Sequence, residues 1–412
     1  MMKYIFYINL FLTPLQIFGQ DTLSIMTYNV LNFPGSTLER VRDFRAVLDI
    51  YRPDILVVSE MLSLSAMNTF MDSTLNYSTS EYSAGPIFEG FDTENSAYFK
   101  HDRLELVDAI SVTTALRRID GYRFKIKNHA ESTFQFQIFS AHLKASQGTD
   151  NVAKRLAEVK RLDDSIKAGN VDSSYIFACD CNFYTSTESG YQYLMESMAI
   201  DLEDPIESPG NWNNSASFAG IHTQSTRTTQ FGGGASGGLD DRFDFILLSQ
   251  NFFDDENLTY VEGSYIEIGN DASHFNLDIN AGSNSAVSAD IADALHAASD
   301  HLPVMLKLAY PAEIEIGIED DKALSDGFIL KQNYPNPFNP STILSYSLPI
   351  SGEVTLSIYN LKGEEVIRLV DGFLQTGEYN TTWNASNISS GIYFFRLRSG
   401  DFVETRKMVL LK

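Results

Sequence analysis

The chain has only two cysteines among 412 residues, and they stand two positions apart, at Cys179 and Cys181. So few exclude a disulfide-built scaffold. They also exclude a structural zinc site resting on two thiolate pairs, since there is no second pair. Basic residues are scarce as well: Lys and Arg total 30 against 54 Asp and Glu, for a formal net charge of −24. That balance opposes long-range steering of a polyanion and counts against a protein whose main task is to hold DNA or RNA by its phosphates. It leaves room for a hydrolase that works through a divalent cation, because the cation reverses the local field. A plain solubility or salt adaptation also accounts for it. After Leu12 there is no long apolar run, so the mature chain offers no helix that would span a bilayer. The glycine cluster FGGGASGG (231–238) lacks the lysine of a phosphate-binding loop. The G-x-S-x-G match at 234–238 lies inside this glycine-rich polar stretch and not on a strand-to-helix turn, so no nucleophile elbow supplies the usual serine-hydrolase context for a His–carboxylate pair.

What is present begins with MMKYIFYINLFLTPLQIFGQ. One lysine, a short apolar run, Pro14 and the small Gly19 read as a secretory signal over residues 1–20, with a buried first helix as the alternative. From Leu23 onward, short β-type runs alternate with helical patterns. Leu23–Asn29, Ile55–Val58, Ser96–Phe99, Phe134–Ser140, Ile176–Ala178, Phe243–Leu248 and Val304–Leu308 read as strands. Leu38–Ile50 and Asp150–Lys167 read as amphipathic helices, and the interleaving indicates a layered α/β domain over 21–310. Ser208–Gly238 reads as a long mobile polar loop. Phe253–Asp300 holds ten acidic residues and no Lys or Arg, which reads as a solvated excursion, with extra cation binding as the alternative. An acidic linker over 311–327 precedes a segment of different composition.

Polar residues recur at the strand ends. Asn29 follows SIMTY, Glu60 follows ILVVS, His142 follows IFSA, and Asp180 and Asn182 follow IFA. Asp244 opens a strand and Asp300-His301 precede LPVML. Carboxylate, amide and imidazole groups gathered at one edge would suit a hard divalent cation and proton transfer to and from water. Side chains alternate faces along a strand. Cys179 and Cys181 would therefore face away from Asp180 as small apolar fillers, unbridged, because an i,i+2 pair in an extended strand is badly placed to close a disulfide.

The segments TYNVLNF (27–33), DILVVSE (54–60), SAHLKA (140–145), ACDCNF (178–183), DRFDFIL (241–247) and SDHLPV (299–304) together resemble the endonuclease/exonuclease/phosphatase superfamily, which includes DNase I-like nucleases and bacterial sphingomyelinases. The resemblance runs from about residue 22 to 309 in order and spacing. It implies a four-layered α/β sandwich (DNase I-like). It also implies Glu60 as principal metal ligand with Asn29 and Asp300 beside it, and Asp180 orienting or deprotonating water. Asn182, His142 and His301 would surround the phosphate, with Asp244 holding His301. The implied ion is Mg²⁺, with Mn²⁺ or Ca²⁺ as alternatives. Tyr98, Arg242 and Arg227 are expected near the substrate. The sequence departs from the family at Cys179 and Cys181, where relatives carry glycine and an aromatic residue.

The last segment, 328–412, contains short alternating strands separated by turns at Lys362-Gly363, Gln375-Thr376-Gly377 and Ser390-Gly391, which predicts a small all-β sandwich domain. With NYPNPFNP (333–340) as its sharpest part, it resembles the type A C-terminal sorting domain of type IX secretion cargo. The resemblance implies a bacterial protein, secreted or attached at the outer-membrane surface, with the type IX machinery as partner. The resulting expectation is a secreted, monomeric, metal-dependent phosphodiesterase, a nuclease with nucleic acid as substrate. The alternatives are a sphingomyelinase-like lipid phosphodiesterase and a non-catalytic surface adhesion protein with a degenerate hydrolase fold.

Overall fold

A computed structural model describes residues 19–34, 38–90, 92–129, 131, 133–169, 174–254, 257–312, 329–400 and 402–411. The expected leader, apart from its last two residues, and most of the expected linker lie outside these residues. The chain falls into two compact units, Met1–Glu315 and Ile316–Lys412.

The first unit runs β1 (Gly19–Phe33), α1 (Val41–Tyr51), β2 (Ile55–Met61), α2 (Leu64–Phe70), β3 (Tyr82–Ala84), β4 (Glu94–Lys100), β5 (Leu104–Val112), β6 (Ile119–Ile126), β7 (Gln135–His142), α3 (Thr149–Ala168), β8 (Ser174–Asp180) and α4 (Ser189–Glu196). It continues through β9 (Leu202–Glu203), β10 (Asp244–Ser249), α5 (Asn251–Asp254), β11 (Thr259–Tyr260), β12 (Ile266–Glu267), α6 (Ala289–Ala298) and β13 (Val304–Ala312). One sheet has the order β11-β13-β1-β2-β4-β3, with β12 also on β13, and the other β5-β6-β7-β8-β10-β9.

Alternation along the strands builds four layers. Ile25, Ile55, Val57, Val304 and Leu306 of the first sheet meet Phe136, Ile138, Ile176, Ala178 and Ile246 of the second in one buried core. The intervening residues, Met26, Tyr28, Leu56 and Val58, face outward onto Phe44 and Val47 of α1 and Leu295 of α6. Phe139, Phe177, Phe245 and Leu247 face outward onto Val159 and Leu162 of α3 and Leu194 of α4. Fully burying each such side chain contributes about 1.5–3 kcal/mol, so layer order follows from the period-2 pattern. The expected four-layered α/β sandwich is thus observed.

Strand polarity then fixes where the polar ends go. β1 pairs parallel to β2, and β7 parallel to β8. β13 runs antiparallel to β1 and β10 antiparallel to β8. The ends of β1, β2, β7 and β8 and the starts of β10 and β13 therefore lie at one edge of the sandwich.

Two expectations about loops change. The expected loop 208–238 is packed over much of its length: Trp212, His222, Thr223, Thr226 and Arg227 are buried, and 216–221 form a 3-10 helix, while 228–233 stay exposed. The acidic 253–300 region contributes Ile268, Ile279, Ile291 and Leu295 to the core. Its Asp271 carboxylate is occupied by His274 Nδ1 at 2.7 Å and by the Ser273 and Ser285 amides at 2.9 Å.

The second unit is all β: β14 (Ile329–Leu330), β15 (Ser341–Leu348), β16 (Gly352–Tyr359), β17 (Glu365–Leu374), β18 (Gly377–Asn384), β19 (Gly391–Ser399) and β20 (Phe402–Leu410). Sheets β14-β15-β18 and β17-β16-β19-β20 enclose Leu344, Tyr346, Leu356, Trp383, Phe395 and Met408, the expected small all-β sandwich.

Candidate active site

The edge of the sandwich holds a cleft of about 520 Å³ lined by Glu60, His142, Asp180, Asn182, Asp300 and His301, with Arg117, Gln224, Gly234 and Tyr184 on its walls. Each strand-end residue arrives there for a local reason. His142 and Asp180 are direct partners at the end of the parallel β7–β8 ladder, and Asp180 is opposite Asp244 across β8–β10. Glu60 sits where the register slips on both sides of β2 and has φ +62°, a left-handed backbone that re-aims its side chain. Arg40 ties the neighbouring turn down, donating to the carbonyls of Val30 at 2.5 Å, Leu31 at 2.7 Å and Ala298 at 2.7 Å. Ser299 Oγ donates to the Asn29 carbonyl at 2.6 Å, joining the end of α6 to β1.

The side chains form one hydrogen-bonded set. Asn29 Nδ2 donates to Asp180 Oδ2 at 2.8 Å and Glu60 Oε1 at 3.0 Å, while Asn29 Oδ1 accepts from Leu31 N at 2.9 Å. Asn182 Nδ2 donates to Asp180 Oδ1 at 2.8 Å. His301 Nδ1 lies 2.7 Å from Asp244 Oδ2, and its Nε2 lies 3.7 Å from Asp180 Oδ2. His142 lies 3.5 Å from Asp180 and 3.6 Å from Glu60. The structure thus brings together Asn29, Glu60, His142, Asp180, Asn182, Asp244, Asp300 and His301.

Burial sets the protonation states. It pushes the Asp180 carboxyl up to about 7, against the pull of His301 and the Asn29 donor. It raises Glu60 and holds His142 well below the usual imidazole value, hence neutral. Burial would also neutralise His301, but the carboxylates of Asp244, Asp180 and Asp300 outweigh it and hold the ring cationic. Gln224 Nε2 lies 2.5 Å from His301 Nε2 and donates to Asp300 Oδ2 at 3.4 Å.

The donor set fits a hard divalent cation. Glu60 has the most exposed side chain in its cluster with His142 and Asp180, and their ligand atoms lie within 4.8 Å of one another. Asp300 Oδ1 and His142 Nδ1 are buried without hydrogen-bond partners. Packed carboxylates and an orphaned carboxylate oxygen are what oxygen-seeking Mg²⁺ or Mn²⁺ would satisfy. Asn29, expected beside Glu60 at the metal, has its oxygen accepting from the Leu31 amide and its N–H₂ toward the carboxylates of Glu60 and Asp180, so it orients both.

Three expected substrate contacts lie elsewhere. Tyr98 is fully buried, pairs with Leu56 on the outer face, stacks on Phe70 at 5.5 Å and donates to the Met67 carbonyl at 3.0 Å. Arg242 is fully buried and makes a two-pronged pair with Asp204 at 2.6 and 2.9 Å, over the Phe245 ring. Regular alternation does not reach Arg242, because β10 starts at Asp244. Arg227 donates to the His296 and Ser299 carbonyls. The cysteines are also a correction: Cys179 and Cys181 are disulfide-bonded with Cα atoms 5.1 Å apart. Asp180, whose backbone sets this spacing, is the last residue of its strand, and the separation there is shorter than the roughly 6.6 Å of a regular extended i,i+2 pair.

Sequence reasoning missed Arg117, Gln224 and the glycine loop. Arg117 pairs with Asp92 at 2.8 Å, and its Nε is buried without a partner. The Arg117-Arg118 doublet in an acid-rich chain was the available signal. Ala235 N donates to Asp300 Oδ2 at 2.6 Å. A Cβ on Gly234 would come within 2.6 Å of the same oxygen, so only glycine admits that approach.

Residues 332–411 match the family described as "Secretion system C-terminal sorting domain". The tail is a secretion sorting domain. It marks the chain as a bacterial protein that is secreted, or attached to the cell surface, by type IX secretion. Within the sorting domain, Asn333 Nδ2 donates to Pro335 O at 3.0 Å and Thr342 Oγ1 at 2.9 Å. Phe338 is buried 5.4 Å from Trp383. The NPFNP segment is thereby packed onto the sandwich. No helix among the described residues is long and apolar enough to cross a membrane.

No curated protein matches the chain. Among solved structures it is similar to an endonuclease/exonuclease/phosphatase family protein from Bacteroides thetaiotaomicron, at 15% identity and TM-score 0.47, over 71% of this chain and 97% of that one. It is also similar to D. rerio TDP2 complexed with a single-strand DNA product, at 14% identity and TM-score 0.48, over 70% and 98%. The catalytic domain of human Nocturnin with bound sulfate matches at 17% identity and TM-score 0.45, over 71% and 97%.

Proposed function

We propose that the first unit is a divalent-metal-dependent phosphodiesterase of the endonuclease/exonuclease/phosphatase superfamily, and that its substrate is nucleic acid. The observation that carries the reading is the continuous set Glu60–Asn29–Asp180–Asn182 with His301–Asp244, closed by hydrogen bonds of 2.7–3.0 Å at one edge of two packed sheets. Glu60 and Asp300 would hold the cation, which when bound supplies Lewis-acid and charge stabilisation at the phosphoryl group. Asp180, ionised and oriented by Asn29 and Asn182, takes a proton from the attacking water. Cationic His301, held by Asp244, donates through Nε2 to a non-bridging oxygen as charge builds there. Arg117, with Nε unpaired beside the cleft, meets the anion from the opposite wall.

The test is a panel run on the purified protein in Mg²⁺: single- and double-stranded DNA, RNA, sphingomyelin, inositol phosphates and simple phosphomonoesters, with Glu60→Gln as control. Cleavage of DNA or RNA that is lost in the control supports the reading. Turnover of sphingomyelin alone reassigns the substrate to lipid, and no turnover of any phosphoester returns the protein to the adhesion reading.

A further inference from the structure

We propose that the Cys179–Cys181 disulfide positions Asp180, so that catalytic competence depends on the oxidation state of this one bond and is acquired on leaving the cytoplasm. The inference rests on the phosphodiesterase reading above and adds its regulation.

The two sulfurs touch no cleft group. Both cysteines are fully buried on the outer face of the second sheet, with Phe177, Phe183 and Phe245. Asp180, between them, points the other way into the cleft. The link can therefore act only through the backbone. There it acts where the regular ladders run out. The ladders of β8 with β7 and β10 both end at Asp180. Two further backbone hydrogen bonds, Leu143 N to Asp180 O at 2.9 Å and Cys181 N to Phe243 O at 2.7 Å, follow before the left-handed turn at Asn182. A left-handed conformation at a non-glycine residue persists only where its surroundings over-determine it. The cross-link supplies that restraint by closing a ring across Asp180 at a Cα–Cα separation of 5.1 Å. The ring holds Asp180 and Asn182 so that their side chains meet at 2.8 Å.

Without the bond, two thiols cannot share that space, and 179–181 relax toward the extended spacing of about 6.6 Å. That shift exceeds 1 Å, and about 1 Å of misplacement costs on the order of 10²-fold in rate.

The sorting domain supplies the second half of the argument. An exported chain is made where thiols stay reduced and works where disulfides persist. Closure is a thiol–disulfide exchange with a disulfide oxidant of the cell envelope. One cysteine thiolate attacks the oxidant's disulfide, and the second displaces the mixed disulfide. Two protons and two electrons leave the protein, and the oxidant departs as a dithiol. Because both sulfurs end fully buried, exchange precedes the final packing of α3 and α4 over them. The producing cell is then spared a competent hydrolase until export.

The experiment uses the full chain in two states: produced and kept under dithiothreitol, and refolded with oxidised glutathione. Alkylation in denaturant with intact mass counts thiols in each, and in protein recovered from the producing cells' medium or surface. The readouts are kcat and KM on bis(p-nitrophenyl) phosphate in Mg²⁺, and hydrogen exchange of amides 180–184. The exported protein should show no alkylatable thiol. Reduction should lower kcat at least tenfold with KM within twofold, and should raise exchange at 180–184 but not in the other strands. Cys179→Ala/Cys181→Ala should match the reduced form and ignore the reductant. Reduced wild type is read alongside it, so a variant that fails to fold does not decide the matter. Two free thiols in the exported protein, or reduced and oxidised forms within twofold in kcat, overturn the proposal. If no form hydrolyses the ester, the phosphodiesterase reading fails, and unchanged exchange at 180–184 then overturns the positioning role by itself.

Discussion

Asp180→Asn is the sharpest perturbation of the site because the native carboxylate uses both oxygens. Oδ1 accepts from Asn182 Nδ2 and Oδ2 from Asn29 Nδ2, each at 2.8 Å. An amide has one oxygen, so one of those neighbours must face N–H₂ with N–H₂. A buried donor left in that state costs about 1–3 kcal/mol. Working against this, a neutral amide escapes the desolvation that lifts the carboxyl to about 7. The two effects are of similar size, so stability should change by less than about 2 kcal/mol, or a few degrees in Tm. The chemical step has no such compensation. Loss of a general base costs about 10²–10⁴-fold, and the loss also removes one of the carboxylates that keep His301 cationic. Single-turnover cleavage should fall at least 10²-fold, while affinity for an uncleavable phosphorothioate analogue stays within about threefold of wild type, since His142, Arg117 and His301 remain. A variant that cleaves within threefold of wild type refutes the assignment of Asp180 as the proton acceptor.

Glu60→Gln should raise the Mg²⁺ concentration for half-maximal activity at least tenfold with an unchanged circular dichroism spectrum; an identical Mg²⁺ titration removes Glu60 from the metal. Arg242→Met leaves Asp204 buried with only the Tyr191 hydroxyl and Ile206 amide, and should lose about 3–5 kcal/mol in urea unfolding, much of it recovered in Arg242→Met/Asp204→Leu. A loss confined to activity would instead place Arg242 at the substrate. Tyr98→Phe should cost about 1 kcal/mol and leave kcat and KM alone, and a kcat effect would reopen its role. In metal-free protein, burial raises Asp180, Asp241 and Glu267 to about 7, and neighbouring carboxylates raise His301. The folded state therefore holds more protons than the unfolded one, and stability falls as pH rises through 7. His142, His222 and His296, whose imidazoles burial lowers, oppose this only below their unfolded value, while Glu60, Asp120 and Asp240, raised by burial, add to it. Tm should drop between pH 6 and 8, with Mg²⁺ restoring more at pH 8; a metal-free Tm that climbs over that interval contradicts it.

The parts of the site that alternation governs were legible in the sequence. Asn29, Glu60, His142, Asp180, Asp244 and His301 each terminate or precede a short apolar run, and parallel pairing of β1–β2 and β7–β8 brings those ends together. Reading failed where strand geometry stops. Arg242 has the same parity as Asp244, yet the chain before β10 is not extended, and the guanidinium turns back onto Asp204 and Trp212. Cys181 lies one residue beyond β8, so the rule that disfavours an i,i+2 bridge had no strand to apply to. Tyr98 was misplaced by motif position although its parity already assigned it to the outer face with Leu56. Gln224 and the 231–238 loop carry no periodic signal, because their packing is settled by single hydrogen bonds to His301 and Asp300.

The acidity of the chain bears on the same site. A net charge of −24 acts through solvent, where charges farther apart than about 8 Å are largely screened at physiological salt. A bound phosphate responds mainly to groups within the cleft. There Glu60, Asp180, Asp244 and Asp300 stand against His301 and Arg117, so metal-free protein offers an anion a net negative wall. Burial has already raised Asp180 and Glu60, and neighbouring carboxylates add to it, Asp244 and Glu60 acting on Asp180 and Asp300 on Glu60. A divalent cation removes both problems at once: it lets the buried carboxylates ionise and turns the wall toward positive potential. Anion binding should therefore depend on the cation even where no bond is cleaved. The affinity of the phosphorothioate analogue, measured with and without Mg²⁺, should fall at least tenfold when the metal is withdrawn, and equal affinity would mean that Arg117 and the histidines hold the phosphate by themselves.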